Sequence, residues 1–498
     1  MVYLIAIFIY LFALGGIGIY KSRQVKTQAD FSVAGRTLSP WVLVCTMLAV
    51  WIGTGSIVGN AGKTYETGLA ALILPWGSVI GMMILTRVAP RARSYEAYSV
   101  PEIIGIRYGQ TARLLAVIAL VVAYMVIISY QFNAGGMVLE VIVTDDAGHS
   151  LLSAGTATII AAVFIITYTI LAGLMSLAYT DIVTGVIITV TLTIAFPVLW
   201  LKAGGWSGME AAFAAMGDRP DHMKFWGVYS KTEIINYCLP VFLLIMGDAN
   251  QYQRFFASKD AKGAKTAVTV MIVAVLLVES LIILEAWICS SMIPNAAHGK
   301  YVLIYAAKQF MPLVLGTFFM ITVVGIIIST ADSFLLVPAT CVIRDIYSNY
   351  INPKASEKRV VFLSRVLVLT FGIIAYLVSL AFAESTTVFE KALYAFTIYG
   401  SAITPCLVAA LFWKRATRQG AIASILTGTI VAVSWSERFF VRYFVSEQSY
   451  ERIVKSVAAN VPEYVIGLDA VLPAITISVA ALILVSLATQ KTQGTGRD

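Results

Sequence analysis

The chain has 498 residues, of which 59% are hydrophobic and only 12% charged, with a formal net charge of +8. Soluble domains carry roughly 25% charged residues, so a water-soluble globular protein is excluded and lipid must bathe most of the surface. The basic residues cluster between apolar blocks, which assigns them to loops at a membrane surface and not to nucleic acid.

Met1–Tyr20 is apolar from its start and lacks both a basic n-region and a small-residue cleavage site. It reads as a retained helix over about 2–20, not a cleaved signal. Further apolar blocks lie at about 40–62, 69–89, 112–142, 154–173, 177–201, 233–252, 265–292, 312–337, 360–383, 389–411, 419–441 and 466–488. Each is near the roughly 20 residues a helix needs to cross about 30 Å of hydrocarbon. None alternates apolar and polar residues as barrel strands do. The expectation is an all-α membrane protein of about 13 transmembrane helices. They form a single transmembrane domain over 1–490, followed by a short tail at 491–498. The blocks after the leading helix are called core helices 1 to 12.

With the N-terminus outside, the inner loops receive Lys21, Arg23, Lys26, Arg36, Arg91, Arg93, Arg107, Lys259, Lys262, Lys265, Arg344, Lys354, Lys358, Arg359, Lys414, Arg415 and Arg418. The positive-inside rule favours this arrangement. It predicts a multi-pass protein of the cell inner (plasma) membrane with a periplasmic N-terminus and a cytoplasmic C-terminus. The outside segments Lys202–Lys231 and Val445–Glu463 are the longer loops. Cys45, Cys238, Cys289, Cys341 and Cys406 form no close pair, so neither a disulfide framework nor a zinc site is expected. His149, His222 and His298 fall in loops and read as solvated. No nucleophile–base constellation gathers at one membrane face, so an enzyme is not expected. No span repeats polar residues along a full face as a channel lining would.

Two spans are poor helices. Core helix 1 reads A-V-W-I-G-T-G-S-I-V-G-N-A-G from Ala49 to Gly62, and each glycine weakens a helix by about 1 kcal/mol relative to alanine. Core helix 6 reads M-G-D-A-N-Q-Y-Q-R from Met246 to Arg254. Irregular backbone at membrane depth is tolerated only where it faces protein or a cavity. Helix 6 follows helix 1 by five spans, so the breaks fall at matching places in two five-helix halves. Such a pair points to a transporter binding site between inverted repeats. Close packing through small residues is the other explanation for the glycines.

Acids inside spans are costly and need a role; the candidates are Asp181, Asp248, Glu279, Glu285 and Asp332. On core helix 8, Ser329, Asp332 and Ser333 share one face with Thr330 beside them. This oxygen cluster suits a hard cation such as sodium. The alternative is hydroxyls bonded back along the helix, with Asp332 capping a loop. Asp181 is expected at the start of core helix 5, where the macrodipole also favours an acid. Glu279 and Glu285 fit either a proton path or buried, paired acids.

Several segments together resemble the solute:sodium symporter family of proline, galactose, sialic acid, pantothenate and choline transporters. They are D-F-S-V-A-G-R-T-L-S-P-W (Asp30–Trp41), S-V-P-E-I-I-G-I-R-Y-G (Ser99–Gly109), Y-Q-F-N-A-G-G (Tyr130–Gly136), A-G-L-M-S-L-A-Y-T-D (Ala172–Asp181), Q-R (Gln253–Arg254), S-T-A-D-S (Ser329–Ser333) and L-F-W-K-R-A-T-R-Q-G-A (Leu411–Ala421). Each is weak alone, and their order and spacing carry the signal. The resemblance implies a LeuT-like 5+5 inverted repeat. Repeat one spans 40–201, repeat two 233–411, and extra helices lie at 419–488. It also implies a main sodium site at Ala49, Ile52, Ile326, Ser329 and Thr330, and in some members a second cation near Asp181, Ser329, Asp332 and Ser333. Asp332 stands where those members have a hydroxyl, which either strengthens a second cation site or holds a proton.

The solute is expected between the two breaks, near Trp51, Gly53, Gln131, Asp248, Asn250 and Tyr252. Trp51 lies where choline transporters have a tryptophan and proline transporters an aspartate, and it otherwise serves packing. The implied function is sodium-coupled import of a small polar solute by alternating access, by a chain working as a monomer. An amino-acid-like, zwitterionic or quaternary-amine solute is favoured. The alternatives are a proton- or sodium-coupled carboxylate, vitamin or sugar transporter of the same fold, or a transporter-like membrane sensor.

Overall fold

The computed structural model describes residues 2–23, 25–143, 150–171, 173–294, 299, 301–382, 387–435 and 469–490. His149, His298, the 445–463 loop and the 491–498 tail lie outside the described residues. Within them every regular element is helical, apart from one isolated bridge between Leu38 and Ser258. Helix starts follow local chemistry. Ser230 with Glu233 and Thr387 with Glu390 form capping boxes ahead of core helices 6 and 10, and Ser39 caps helix 1 with Pro40 in its first turn. Each such cap contributes about 1 kcal/mol.

Ten described helices are long and apolar enough to span a membrane, and Pro40–Trp51 with Gly55–Ile73 makes an eleventh as a pair bent by 49°. The expected count of about 13 is therefore not reached by this measure. The expected spans at 69–89 and 419–441 are helices Trp76–Arg93 and Arg418–Trp435, which do not meet it. Core helix 2 begins later than expected. Gly68–Ile73 is a 3-10 segment continuing helix 1, and Pro75 precedes the first turn of Trp76–Arg93. The remaining cores are Gln110–Ile142, Ala154–Leu171, Leu174–Lys202, Lys231–Gly247 with Ala249–Ala257, Ala261–Met292, Leu313–Cys341, Glu357–Phe382, Val388–Phe412 and Val471–Thr489. Val2–Ser22 packs outside helix 5, where Tyr10 shares a 2.9 Å hydrogen bond with Thr184.

Both suspected breaks are present. Helix 1 leaves helical geometry at Ile52 (ψ 89°) and resumes at Gly55, and helix 6 is interrupted at Asp248 (ψ 112°). One end of the bundle is closed by a buried ionic network. Asp345 accepts from Arg113 Nε (2.6 Å) and Ser99 Oγ (2.6 Å), and Arg344 donates to Glu102 (3.1 Å).

At the opposite end, Gly205–Met216 and the loop after it dock on helices 1 and 7. His222 is 5% exposed, not solvated as its loop position suggested. Its Nε2 lies 2.9 Å from Tyr65 O, and its carbonyl accepts from Trp287 Nε1 (2.8 Å) and Leu69 N (3.0 Å). Gly68 has φ +70° and lies too close to the His222 backbone to admit a side chain. Burial holds the His222 imidazole below its ordinary pKa of 6.5; Arg219 adds to this, and the Tyr65 carbonyl, Asp218 and Asp221 oppose it. The unfolded chain therefore takes up this proton first as pH falls. The contribution to stability is complete above about 6.5 and is lost as pH drops through the lower native value. The thermal midpoint is expected to fall between pH 7 and 5.5, and to fall less in His222→Gln; an equal fall in both would remove His222 as the cause.

Candidate functional site

The break in helix 6 exposes backbone groups that no helical turn can satisfy. Two tyrosines satisfy them. Tyr399 from helix 10 donates to Gly247 O (2.8 Å) and accepts from Ala249 N (3.1 Å). Tyr124 from helix 3 donates to Asp248 Oδ1 (2.7 Å), and its oxygen lies 3.3 Å from Asn250 N. Asp248 Oδ1 also accepts from Asn250 N (3.1 Å), so the acid caps the second half-helix, where the macrodipole favours a negative charge.

Helix 8 does the same for helix 1. Ser329 Oγ lies within hydrogen-bonding distance of Ala49 O (3.0 Å) and Ile326 O (3.2 Å), and Thr330 Oγ1 donates to Val50 O (3.5 Å). A Cβ added at Gly53 would sit 3.0 Å from Thr330 Cγ2 and 3.1 Å from Oγ1, so a larger residue there would push the Thr330 side chain aside. Four of the five residues expected at the main cation site, Ala49, Ile326, Ser329 and Thr330, thus converge at one junction. Ile52 is the residue at which helix 1 breaks.

The expected second cation site is arranged differently. Asp181 sits two turns into helix 5 (Leu174–Lys202), not in its first turn, so the macrodipole does not explain it. It accepts a hydrogen bond from Thr46 and faces the Arg254 guanidinium at 3.8 Å. Arg254, fully buried, also donates to Ser333 Oγ (2.7 Å). Asp332 lies inside Leu313–Cys341 and caps no loop; its Oδ1 has no hydrogen-bond partner among the described residues. Ser329 turns to helix 1 instead. A resident guanidinium, noted in the sequence only as part of a motif, thus occupies the centre of this acidic cluster.

A cavity opens between the two breaks. Trp51, Gly53, Gln131, Asp248 and Thr330 line it. Asn250 and Tyr252 do not. Asn250 Oδ1 lies 3.4 Å from Arg254 Nη1, and Tyr252 donates to Met246 O (3.0 Å) with its ring beside Phe255. Their place just past the break suggested the cavity, but the resumed half-helix turns that face inward. Tyr130, Ser56, Asn60, Phe334 and Glu279 line the cavity and were not assigned to the solute from sequence. Tyr130 adjoins Gln131 in a recognised motif, and Glu279 was visible as an intramembrane acid without a known partner. Glu285 is fully buried, and neither carboxyl oxygen has a hydrogen-bond partner among the described residues.

The family model of the sodium:solute symporter family matches residues 31–428. The chain belongs to this family. The symporter is 27% identical over 452 residues to the osmoregulated proline transporter OpuE of Bacillus subtilis, covering 87% of this chain and 88% of that one. It is 25% identical over 460 residues to the sodium/proline symporter of Haemophilus influenzae, covering 87% and 88%. Among solved structures, a substrate-bound, outward-open Na+-coupled sialic acid symporter superposes with a TM-score of 0.79 at 16% identity, over 99% of this chain and 98% of that one. MhsT in complex with L-phenylalanine superposes at 0.53 and 16% identity, over 90% and 98%. The fold is LeuT-like. The protein is a multi-pass membrane transporter, not an enzyme, and sodium is its coupling ion.

The buried Arg254–Asp181 pair gives a structural test. Removing one partner strands a buried charge, which costs about 3–5 kcal/mol. Arg254→Met is expected to lower stability by that order in detergent unfolding, and Arg254→Met with Asp181→Asn to recover part of the loss. A double variant no more stable than the single one would show that the pair is not the cause.

Proposed function

We propose that this symporter imports a small zwitterionic, amino-acid-like solute, with proline the first candidate, and that sodium is held where helix 1 breaks against helix 8. The observation that carries the reading is the meeting of the Ser329 and Thr330 hydroxyls with the Ala49 and Val50 carbonyls. In this reading the hydroxyl protons turn aside, and Ser329, Thr330 and the carbonyls of Ala49, Ile52 and Ile326 direct their oxygens to the ion. Oxygen donors are what a hard alkali cation takes. The ion ties the broken helix to its partner and orders the cavity beside it. Solute then fills the cavity and closes the outer path, the repeats at about 40–201 and 233–411 rock, and the inner path opens. Loss of sodium to the cytoplasm loosens the junction and frees the solute. An inward sodium ion gains about 2.3 kcal/mol per 100 mV.

The relatives named as proline transporters support an amino-acid solute. So does a cavity lined by Trp51, Tyr130, Phe334 and Gln131 with two carboxylates. A dominantly anionic solute would meet no lysine or arginine among the described lining residues, which disfavours the carboxylate alternative. Both breaks and helix 8 come from one chain, so a monomer suffices. The orientation follows the basic loops, with the N-terminus periplasmic, the C-terminus cytoplasmic and the protein in the inner membrane.

Proteoliposomes test the reading: labelled L-proline is expected to accumulate only under an inward sodium gradient and to saturate. Ser329→Ala or Thr330→Ala is expected to raise the sodium concentration for half-maximal uptake roughly tenfold, as a lost ligand worth about 1.4 kcal/mol does. Unchanged sodium dependence in the double variant would remove this site. The unpaired Asp332 carboxyl oxygen beside Arg254 supports a second cation there. On that reading, Asp332→Asn lowers the Hill coefficient for sodium toward 1, and an unaltered coefficient above 1 would place any second ion elsewhere.

A further inference from the structure

Two carboxylates line the cavity, and they are not equivalent. Asp248 is committed to the break in helix 6, capped onto Asn250 N and bonded by Tyr124. Glu279 comes from helix 7 and is 4% exposed. It accepts from Ser56 Oγ (2.6 Å) and Asn60 Nδ2 (3.1 Å), both on the outer half of helix 1. Both donors are neutral. Among the described residues no cationic side chain pairs with Glu279, and none lines the cavity. The nearby Lys63 is turned to Glu66 (3.2 Å) and the Tyr237 ring.

A carboxylate withdrawn from water without a counter-charge is costly, and two neutral hydrogen bonds offset only part of that cost. A proton relieves that cost, and so does a positive charge carried into the cavity, which Glu279 lines. The surrounding Trp51, Tyr130 and Phe334 rings suit a nitrogen cation, because their faces attract positive charge.

We infer that Glu279 is the counter-ion for the positively charged nitrogen of the solute, so that the cavity accepts small molecules carrying a protonated or alkylated nitrogen and refuses their neutralised counterparts. The inference rests on the symport reading above and adds to it the group that reads the solute's charge. Ser56 and Asn60 hold Glu279 against the outer half of helix 1, so neutralisation by the solute is sensed by the segment that must close over it.

The test uses the full-length protein in proteoliposomes, with labelled L-proline as the transported probe and glycine betaine and N-acetyl-L-proline as competitors. N-acetylation removes the positive charge. L-proline uptake is expected to be inhibited by glycine betaine and not by N-acetyl-L-proline. In Glu279→Gln, which keeps the shape and one of the two accepting oxygens, the KM for L-proline is expected to rise about 10- to 100-fold, as loss of a charge-assisted bond does. Thermal stabilisation by sodium alone should be unchanged, which also shows that the variant is folded, and Glu279→Asp should restore part of the affinity. Sodium-driven uptake indifferent to Glu279 and equally inhibited by N-acetyl-L-proline overturns this inference alone. A charge requirement that survives while uptake proves independent of sodium supports it and overturns the symport reading instead.

Discussion

Backbone polar groups cannot be left unpaired at the depth of a membrane, and this symporter interrupts two of its helices there. Each unsatisfied group would cost several kcal/mol in hydrocarbon. The interruptions survive because side chains from other helices supply the missing partners: Tyr399 and Tyr124 at the helix 6 break, Ser329 and Thr330 at the helix 1 break. The same atoms that repair the backbone include the oxygens proposed to hold sodium. A carbonyl that accepts a hydroxyl proton in one state is free to accept a cation in another, so on the proposed reading the junction of helices 1 and 8 alternates between two arrangements that differ in what sits between its oxygens. That is the kind of bistable element an alternating-access cycle needs.

Around this junction the charges are organised in two separate groups. Behind it, away from the cavity, Arg254 is enclosed by Asp181 and Ser333, with Asp332 in electrostatic reach. Such a cluster locks helices 5, 6 and 8 in register. In front of it, Asp248 and Glu279 face a cavity with no basic residue among its described lining. One group is largely internally compensated, and the other is open to a charge brought in from outside. The division between scaffold and solute chemistry follows from where the Arg254 guanidinium lies, inside the acidic cluster and outside the cavity lining.

Much of this was legible in the residues themselves. Glycine density marked the helix 1 break, and the Gly-Asp-Ala-Asn run marked the helix 6 break. The three-and-four spacing of Ser329, Asp332 and Ser333 placed them on one face. Spacing does not say which partner a face meets, so Ser329 was grouped with Asp332 although it turns to Ala49. Arg254 went unnoticed as the occupant of the acidic cluster because its partners Asp181 and Ser333 are far from it in sequence. Asn250 and Tyr252 were assigned to the cavity from their nearness to a break, yet the half-helix that resumes there rotates them away.

By itself the sequence determined the solvent, the helical class, the two interruptions and the polar residues that must be accounted for. These depend on local composition and on a periodicity of a few residues. The tertiary structure alone decided which carbonyl each hydroxyl meets, which acid receives the arginine, that His222 is buried against Tyr65, and that Glu279 faces the cavity with no counter-charge among the described residues. Those outcomes depend on the relative placement of helices separated by tens to hundreds of residues, and hydrogen bonds and ion pairs act only over a few ångströms.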